Sequence, residues 1–255
     1  MKHSIYMAVI SLLLASCGQQ TPESSTATER QKAAMNLNKR DSVQDGILRM
    51  TATGKDTIIP IEQMQNEYMR AAQSTYEAGV DYYEMGDLDN ALNQFKSSLD
   101  YFPENSKAAH YLARIYFEKG EKTLALSYYE DAVELDPKDS VSLLAIGQVY
   151  FDMREYDQAM KYYNEAIESA PYYGLAYYNR GTLHGMKQEF MPALDDLTRS
   201  IKLNPDNPNA YLNRGLAYFF LENRDAACKD WEKAAEMGLE KGIEAVETYC
   251  KEKSR

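Results

Sequence analysis

The chain has 255 residues, 26% of them charged, and 39 acidic against 28 basic side chains leave a net charge of -11. Such an acidic body is a poor partner for nucleic acid, whose phosphates require a basic stripe, and it repels anionic lipid headgroups. The three histidines lack the i, i+4 spacing of a metal-binding helix, and there is no Cys-x-x-Cys, no Gly-rich phosphate loop and no Gly-x-Ser-x-Gly turn. No catalytic centre, cofactor or metal is therefore expected.

Met1-Lys2-His3 gives a short positive start, and Ile5 to Ala15 is an apolar run of about eleven residues. A membrane-spanning helix needs about 20 apolar residues, so residues 1–16 read as a signal peptide. Leu14-Ala15-Ser16-Cys17 looks like a bacterial lipobox, which implies a diacylglycerol on Cys17; the alternative is an ordinary cleaved signal that happens to contain a cysteine. Two or more acyl chains make a stable anchor where one does not. The residue after Cys17 is Gly18, not aspartate, which favours the outer membrane, with the rest of the chain facing the periplasm or the cell surface. Residues 17–60 form a lipid-anchored linker, rich in Gln, Thr, Ser and Glu as far as Gln31. Within it, Ile47–Met50 and Thr57–Ile59 flank Thr53-Gly54-Lys55-Asp56, as either a small hairpin or coil packed on the first repeat unit beyond it. After Pro60, the residues Ile61, Met64, Tyr68 and Thr75 have helical spacing and lengthen the next helix or cap it.

From residue 72 the chain is periodic. Gly79, Ala113, Gly147, Gly181 and Gly215 recur every 34 residues, and Ala91, Ala125, Ala159, Ala193 and Ala227 keep the same interval. Four residues after each alanine stands Phe95, Tyr129, Tyr163, Leu197 or Trp231, and Pro103, Pro137, Pro171 and Pro205 close the first four copies. Ala91, Phe95 and Ser98 fall at i, i+4 and i+7, one face of a helix on which a small residue lets two backbones approach beside a large ring. Each proline ends a helix, and Asn207-Pro208 reads as an N-cap followed by proline at the first helical position. Each copy is then a pair of antiparallel helices, breaking near Gly86, Gly120, Arg154, Lys187 and Glu222. A fixed period of this length is a stacked array, and such an array is first of all a binding surface.

This pattern resembles the tetratricopeptide repeat. The copies run 72–105, 106–139, 140–173, 174–207 and 208–241, in an array spanning 61–241. The resemblance implies an all-α, right-handed solenoid of about five helix pairs, with the first helix of each pair lining a concave groove. The fifth copy has Leu239 in place of proline, and residues 242–255 supply a capping helix and tail. That helix is expected to start at Glu240 and to turn Ile243, Val246 and Cys250 inward. Cys228 and Cys250 lie eleven residues on either side of Leu239, in the predicted turn, which sets them opposite each other. Outside the cytoplasm they are expected to form a disulfide; the alternative is two small buried thiols.

At the family's groove-lining positions the chain changes character along its length. Lys107, His110 and Arg114 form a basic strip that either receives a partner's carboxylate or pairs with acids such as Glu77, Glu84 and Glu118. Further on, Phe151, Tyr178 and Phe219 are expected to wall a depression at Gly185, unless they merely pack repeat on repeat. Asn179 and Asn213 sit where a tetratricopeptide repeat often presents an amide to the backbone of an extended peptide. Ala145 and Leu175 break the family's carboxylate clamp, so a C-terminal Glu-Glu-Val-Asp tail is not an expected ligand. The resemblance as a whole implies a non-enzymatic, membrane-anchored scaffold or assembly factor that binds an envelope protein or extended peptide. An envelope glycan-binding or nutrient-capture lipoprotein is the alternative, and a plain structural spacer a third.

Overall fold

The computed structural model describes residues 47–52 and 55–250; the signal segment, Cys17 and residues 18–46 lie outside the described residues. The chain divides into two compact units, one ending at Leu135 and the other beginning at Asp136.

In the first unit, β1 (Ile47–Ala52) and β2 (Lys55–Pro60) pair antiparallel, with Ile47 opposite Pro60 and Ala52 opposite Lys55. The hairpin is thus the reading realised within the stretch assigned to the linker. It leads into α1 (Ile61–Glu84), which carries the first repeat's opening helix back to residue 61, and then α2 (Leu88–Tyr101), α3 (Ser106–Glu118) and α4 (Lys122–Leu135).

The second unit holds α5 (Ser140–Asp152), α6 (Tyr156–Ser169), α7 (Gly174–Met186), α8 (Phe190–Leu203), α9 (Pro208–Phe220) and α10 (Arg224–Glu236). A short α11 (Glu240–Ala245) and a π-helical turn (Val246–Cys250) close it.

Local chemistry sets these boundaries. Asp87, Asn105, Asp139, Asn207 and Asn223 cap helix N-termini by accepting from backbone N–H groups two or three residues on. Between the two helices of each pair the chain turns through a left-handed residue: Gly86, Gly120, Arg154, Gln188 and Glu222. The fourth turn is therefore centred on Gln188, one residue beyond the expected Lys187, and keeps the 34-residue period.

The core follows the repeat pattern. Ala91, Phe95, Ala125, Tyr129, Ala159, Tyr163, Ala193, Leu197, Ala227 and Trp231 are all buried. Trp231 shows why a glycine stands opposite. Its indole lies over Gly215, where a Cβ would sit 2.5 Å from Nε1, and that Nε1 donates to the Leu212 carbonyl at 3.2 Å.

The cap meets its expected form at Val246 and Cys250, which pack against the last core cluster, and departs from it at Ile243, which is exposed while Gly242 and Ala245 face inward. A Cβ at Gly242 would come within 2.8 Å of the Ala235 backbone nitrogen, so α11 approaches α10 closely with its small residues inward. Cys228 of α10 and Cys250 are joined by a disulfide, their Cα atoms 5.6 Å apart. Arg224 donates to the Tyr249 carbonyl through Nε at 2.8 Å and also through Nη2, and the Tyr249 ring packs on Phe219 and Trp231. No described helix is long and apolar enough to cross a membrane.

Candidate binding face

In the second unit the first helices of the pairs are α5, α7 and α9. Their positions 2, 9 and 13 fall within about one stripe of a helix; five of these nine residues are exposed and apolar (Val141, Leu175, Met186, Leu216 and Phe220), and Gln148, Asp152, Thr182 and Asn209 hold the rest. Phe220 is 59% exposed and Met186 52%, too much for side chains serving only the core. Asn213 Nδ2 donates to Thr182 Oγ1 at 3.0 Å, and Asn179 Nδ2 to Gln148 Oε1 at 3.3 Å, so each amide is steered by the preceding repeat. Thr182 Oγ1 in turn donates to the Tyr178 carbonyl at 2.8 Å. An amide anchored through its NH2 group still offers its carbonyl oxygen as an acceptor.

Between α7, α8 and α9 lies a pocket of about 200 Å³. Thr182, Gly185 and Met186 line it from α7, Phe190 from α8, and Leu216 and Phe220 from α9. Phe190 and Phe220 stack with ring centroids 4.8 Å apart and planes at 9°. A Cβ at Gly185 would meet nothing within 4 Å.

The depression expected at Gly185 is there, but Phe151, Tyr178 and Phe219 do not wall it. Phe151 packs on Tyr156 at 5.8 Å, and Phe219 turns to Trp231 at 5.6 Å and Tyr249 at 5.0 Å. Tyr178 lies against the buried cluster of Ala193, Leu197 and Ala217. Each ring is drawn to apolar surface beside its own helix pair or the cap, leaving the pocket to Phe190 and Phe220.

The basic strip of the first unit is partly spent within the fold. Arg114 Nε lies 3.4 Å from the Glu118 carboxylate, and its guanidinium sits over the Tyr83 ring at 4.9 Å. The Tyr83 hydroxyl donates to the same carboxylate; burial first, and then this hydrogen bond, push its phenol up to about 12. His110 rests edge-on against Tyr111 and Tyr129, and Lys107 is exposed. Of the two readings of the strip, the structure shows pairing with a neighbouring acid at Arg114.

Sequence reasoning missed two partly buried ion pairs. Arg180 forms a bidentate pair with Asp196 through Nε and Nη2, both at 2.7 Å, and donates through Nη1 to Asn164 at 2.7 Å. Arg214 repeats the arrangement with Asp230, both bonds again 2.7 Å. Hydrogen bonding to the carboxylate holds each guanidinium even above its usual range. The signal was present as Asn-Arg-Gly with an aspartate sixteen residues on, in two successive repeats. His184 joins the first pair, with Nδ1 2.5 Å from Glu189 and Nε2 3.9 Å from Asp196. Among the described residues no group of three or more His, Cys, Asp or Glu is placed to hold a metal ion.

With repeat period, helix pairs and an apolar face in hand, comparison with known proteins gives the class. Tetratricopeptide repeat profiles match residues 76–140, 140–173 and 208–237, and a TPR repeat profile matches 186–221. The chain belongs to the tetratricopeptide repeat family, whose members serve as protein-interaction scaffolds. No curated protein sequence matches it significantly.

Among solved structures it is similar to MamA at 27% identity and a TM-score of 0.57, over 65% of this chain and 96% of MamA. The fold is shared with Pseudomonas aeruginosa pilF, at 19% identity, TM-score 0.63 and coverage of 72% and 89%. It is also shared with YrrB, described as a TPR protein with an unusual peptide-binding site, at 18% identity, TM-score 0.57 and coverage of 73% and 97%.

Proposed function

We propose that this chain is a lipid-anchored scaffold of the bacterial envelope that holds an extended segment of a partner protein across the first-helix face of its second unit. The observation that carries the reading is the exposed apolar stripe of α7 and α9 beside two amides pre-set by the preceding repeat. The peptide-binding site described for YrrB supports it by likeness of fold. Cys17 supplies the anchor, residues 18–46 the reach from an outer-membrane leaflet, and the bond between Cys228 and Cys250 suits an oxidising compartment.

Affinity capture from detergent-solubilised envelopes tests this. The native chain is compared with a Leu216→Glu, Phe220→Glu variant whose helicity is checked by circular dichroism. A partner retained by the native chain and lost from the folded variant is the expected result; unchanged capture removes the face from the account. Cys17→Ala is expected to move the chain from the membrane to the soluble fraction, and persistence in the membrane would contradict the anchor.

A further inference from the structure

The pocket at Gly185 sits where the repeat normally carries an aromatic ring. Position 12 of the repeat is Tyr83, Phe117, Phe151 and Phe219 in the other four copies, and glycine in the fourth. In the third copy that ring, Phe151, packs on the residue five places later, Tyr156. The fourth copy keeps an aromatic there, Phe190, but has no ring of its own to set against it; Phe220 of the next copy stacks on Phe190 instead and leaves the space at Gly185 unfilled. The resulting space of about 200 Å³ is bounded by Met186, Leu216 and Phe220 and lies open to the exposed face. An apolar cavity of about 150 Å³ suffices to bind benzene.

The charge around this space is equally selective. In a chain of net charge -11, α7 and α9 carry two formal charges, Arg180 and Arg214. Both are neutralised by Asp196 and Asp230 on the second helices. The pocket therefore offers nothing to a charged ligand, and its polar edge is limited to Thr182 and Asn213.

We infer that the pocket is a socket for one aromatic side chain, carried by an uncharged extended segment of a partner protein. The incoming ring takes the place of the missing position-12 ring against Phe190. Asn213, held by Thr182, presents its amide oxygen to the segment's backbone N–H beside that ring. This rests on the first-helix-face reading above and deepens it by naming the anchor. A glycan would require a row of hydroxyl partners along the same wall, which an edge of one threonine and one amide does not supply.

The test is selection of a nine-residue random peptide library on the full chain carrying Cys17→Ser, followed by calorimetric titration of the selected peptides. The expected peptides are uncharged around one Phe or Tyr, whose replacement by alanine raises Kd at least tenfold. Gly185→Leu fills the socket and is expected to raise Kd at least tenfold. Gly185→Ala, a milder change in the same open space, keeps the fold and gives an intermediate loss. Peptides that bind Gly185→Leu undiminished would overturn the socket while leaving the face intact. Selection of charged peptides without an aromatic anchor would also overturn it. Failure to enrich any peptide would count against socket and face together, as would binding of chitotetraose at Gly185 and Asn213 seen by NMR. Sedimentation velocity completes the set: a dimer abolished by Gly185→Leu would assign the socket to a second copy and refute the partner segment.

Discussion

At the scale of single residues, the last two repeats replace an apolar contact with a charged one. Positions 7 and 23 hold Leu112 with Tyr128, then Ile146 with Tyr162, and in both cases the tyrosine stacks on a second tyrosine at 5.5 Å. The same positions then hold Arg180 with Asp196 and Arg214 with Asp230. Removing Asp230 strands the Arg214 charge, but the guanidinium is only partly buried, so Asp230→Ala is expected to destabilise the fold in urea unfolding by less than the ~3–5 kcal/mol of a fully buried pair. Restoring the third repeat's residues, Arg214→Ile with Asp230→Tyr, is expected to be neutral or stabilising, because Tyr218 remains as a stacking partner. The buried phenols make a second prediction. Burial raises Tyr129 and Tyr163 above the ordinary tyrosine range, so the folded state favours their protonated form. Their contribution is complete below about pH 10, where an unfolded tyrosine titrates, and is lost as pH rises from there toward the folded values. The thermal midpoint should fall above about pH 10, and Tyr129→Phe with Tyr163→Phe should flatten that fall; an unchanged slope would contradict the assignment.

Among elements, the cap is the piece tied on by few contacts. The turn Val246–Cys250 is fixed by the disulfide to α10, by Arg224 on the Tyr249 carbonyl and by the Tyr249 ring against Phe219 and Trp231. With the cysteines 22 positions apart in sequence, closing the loop is worth about 3 kcal/mol in the chain-entropy model. Reduction with dithiothreitol should therefore speed amide exchange in residues 240–250 while leaving 140–203 protected; equal loosening of both would contradict a local role. The helix pairs themselves were legible because Ala91, Phe95 and Ser98, and their counterparts every 34 residues, carry spacing, burial and close approach in one pattern. The cap was less so, since choosing Gly242 over Ile243 as the inner residue depends on how near α11 comes to α10. The site was legible in part for a similar reason. Gly185 marked the depression, but the directions of Phe151 and Phe219 are set by Tyr156, Trp231 and Tyr249, which no spacing within one helix reveals. The ion pairs escaped because each aspartate lies on the other helix of its pair, sixteen residues away.

For the whole molecule, acidic charge and apolar contact are kept apart. The net charge of -11 keeps the body soluble and off anionic surfaces, while α7 and α9 present an apolar stripe free of net charge. The lipid-tethered scaffold proposed above needs both properties, because such a scaffold works beside a membrane yet must reserve its apolar face for a partner. The most direct measurement is site-specific photocrosslinking in intact cells, with p-benzoylphenylalanine placed at Leu216 on that face or at Lys229 on the exposed surface of α10. The account predicts one discrete protein adduct from Leu216, lost when Gly185→Leu is added, and none from Lys229. The same adduct from Lys229, or none from Leu216, would contradict it.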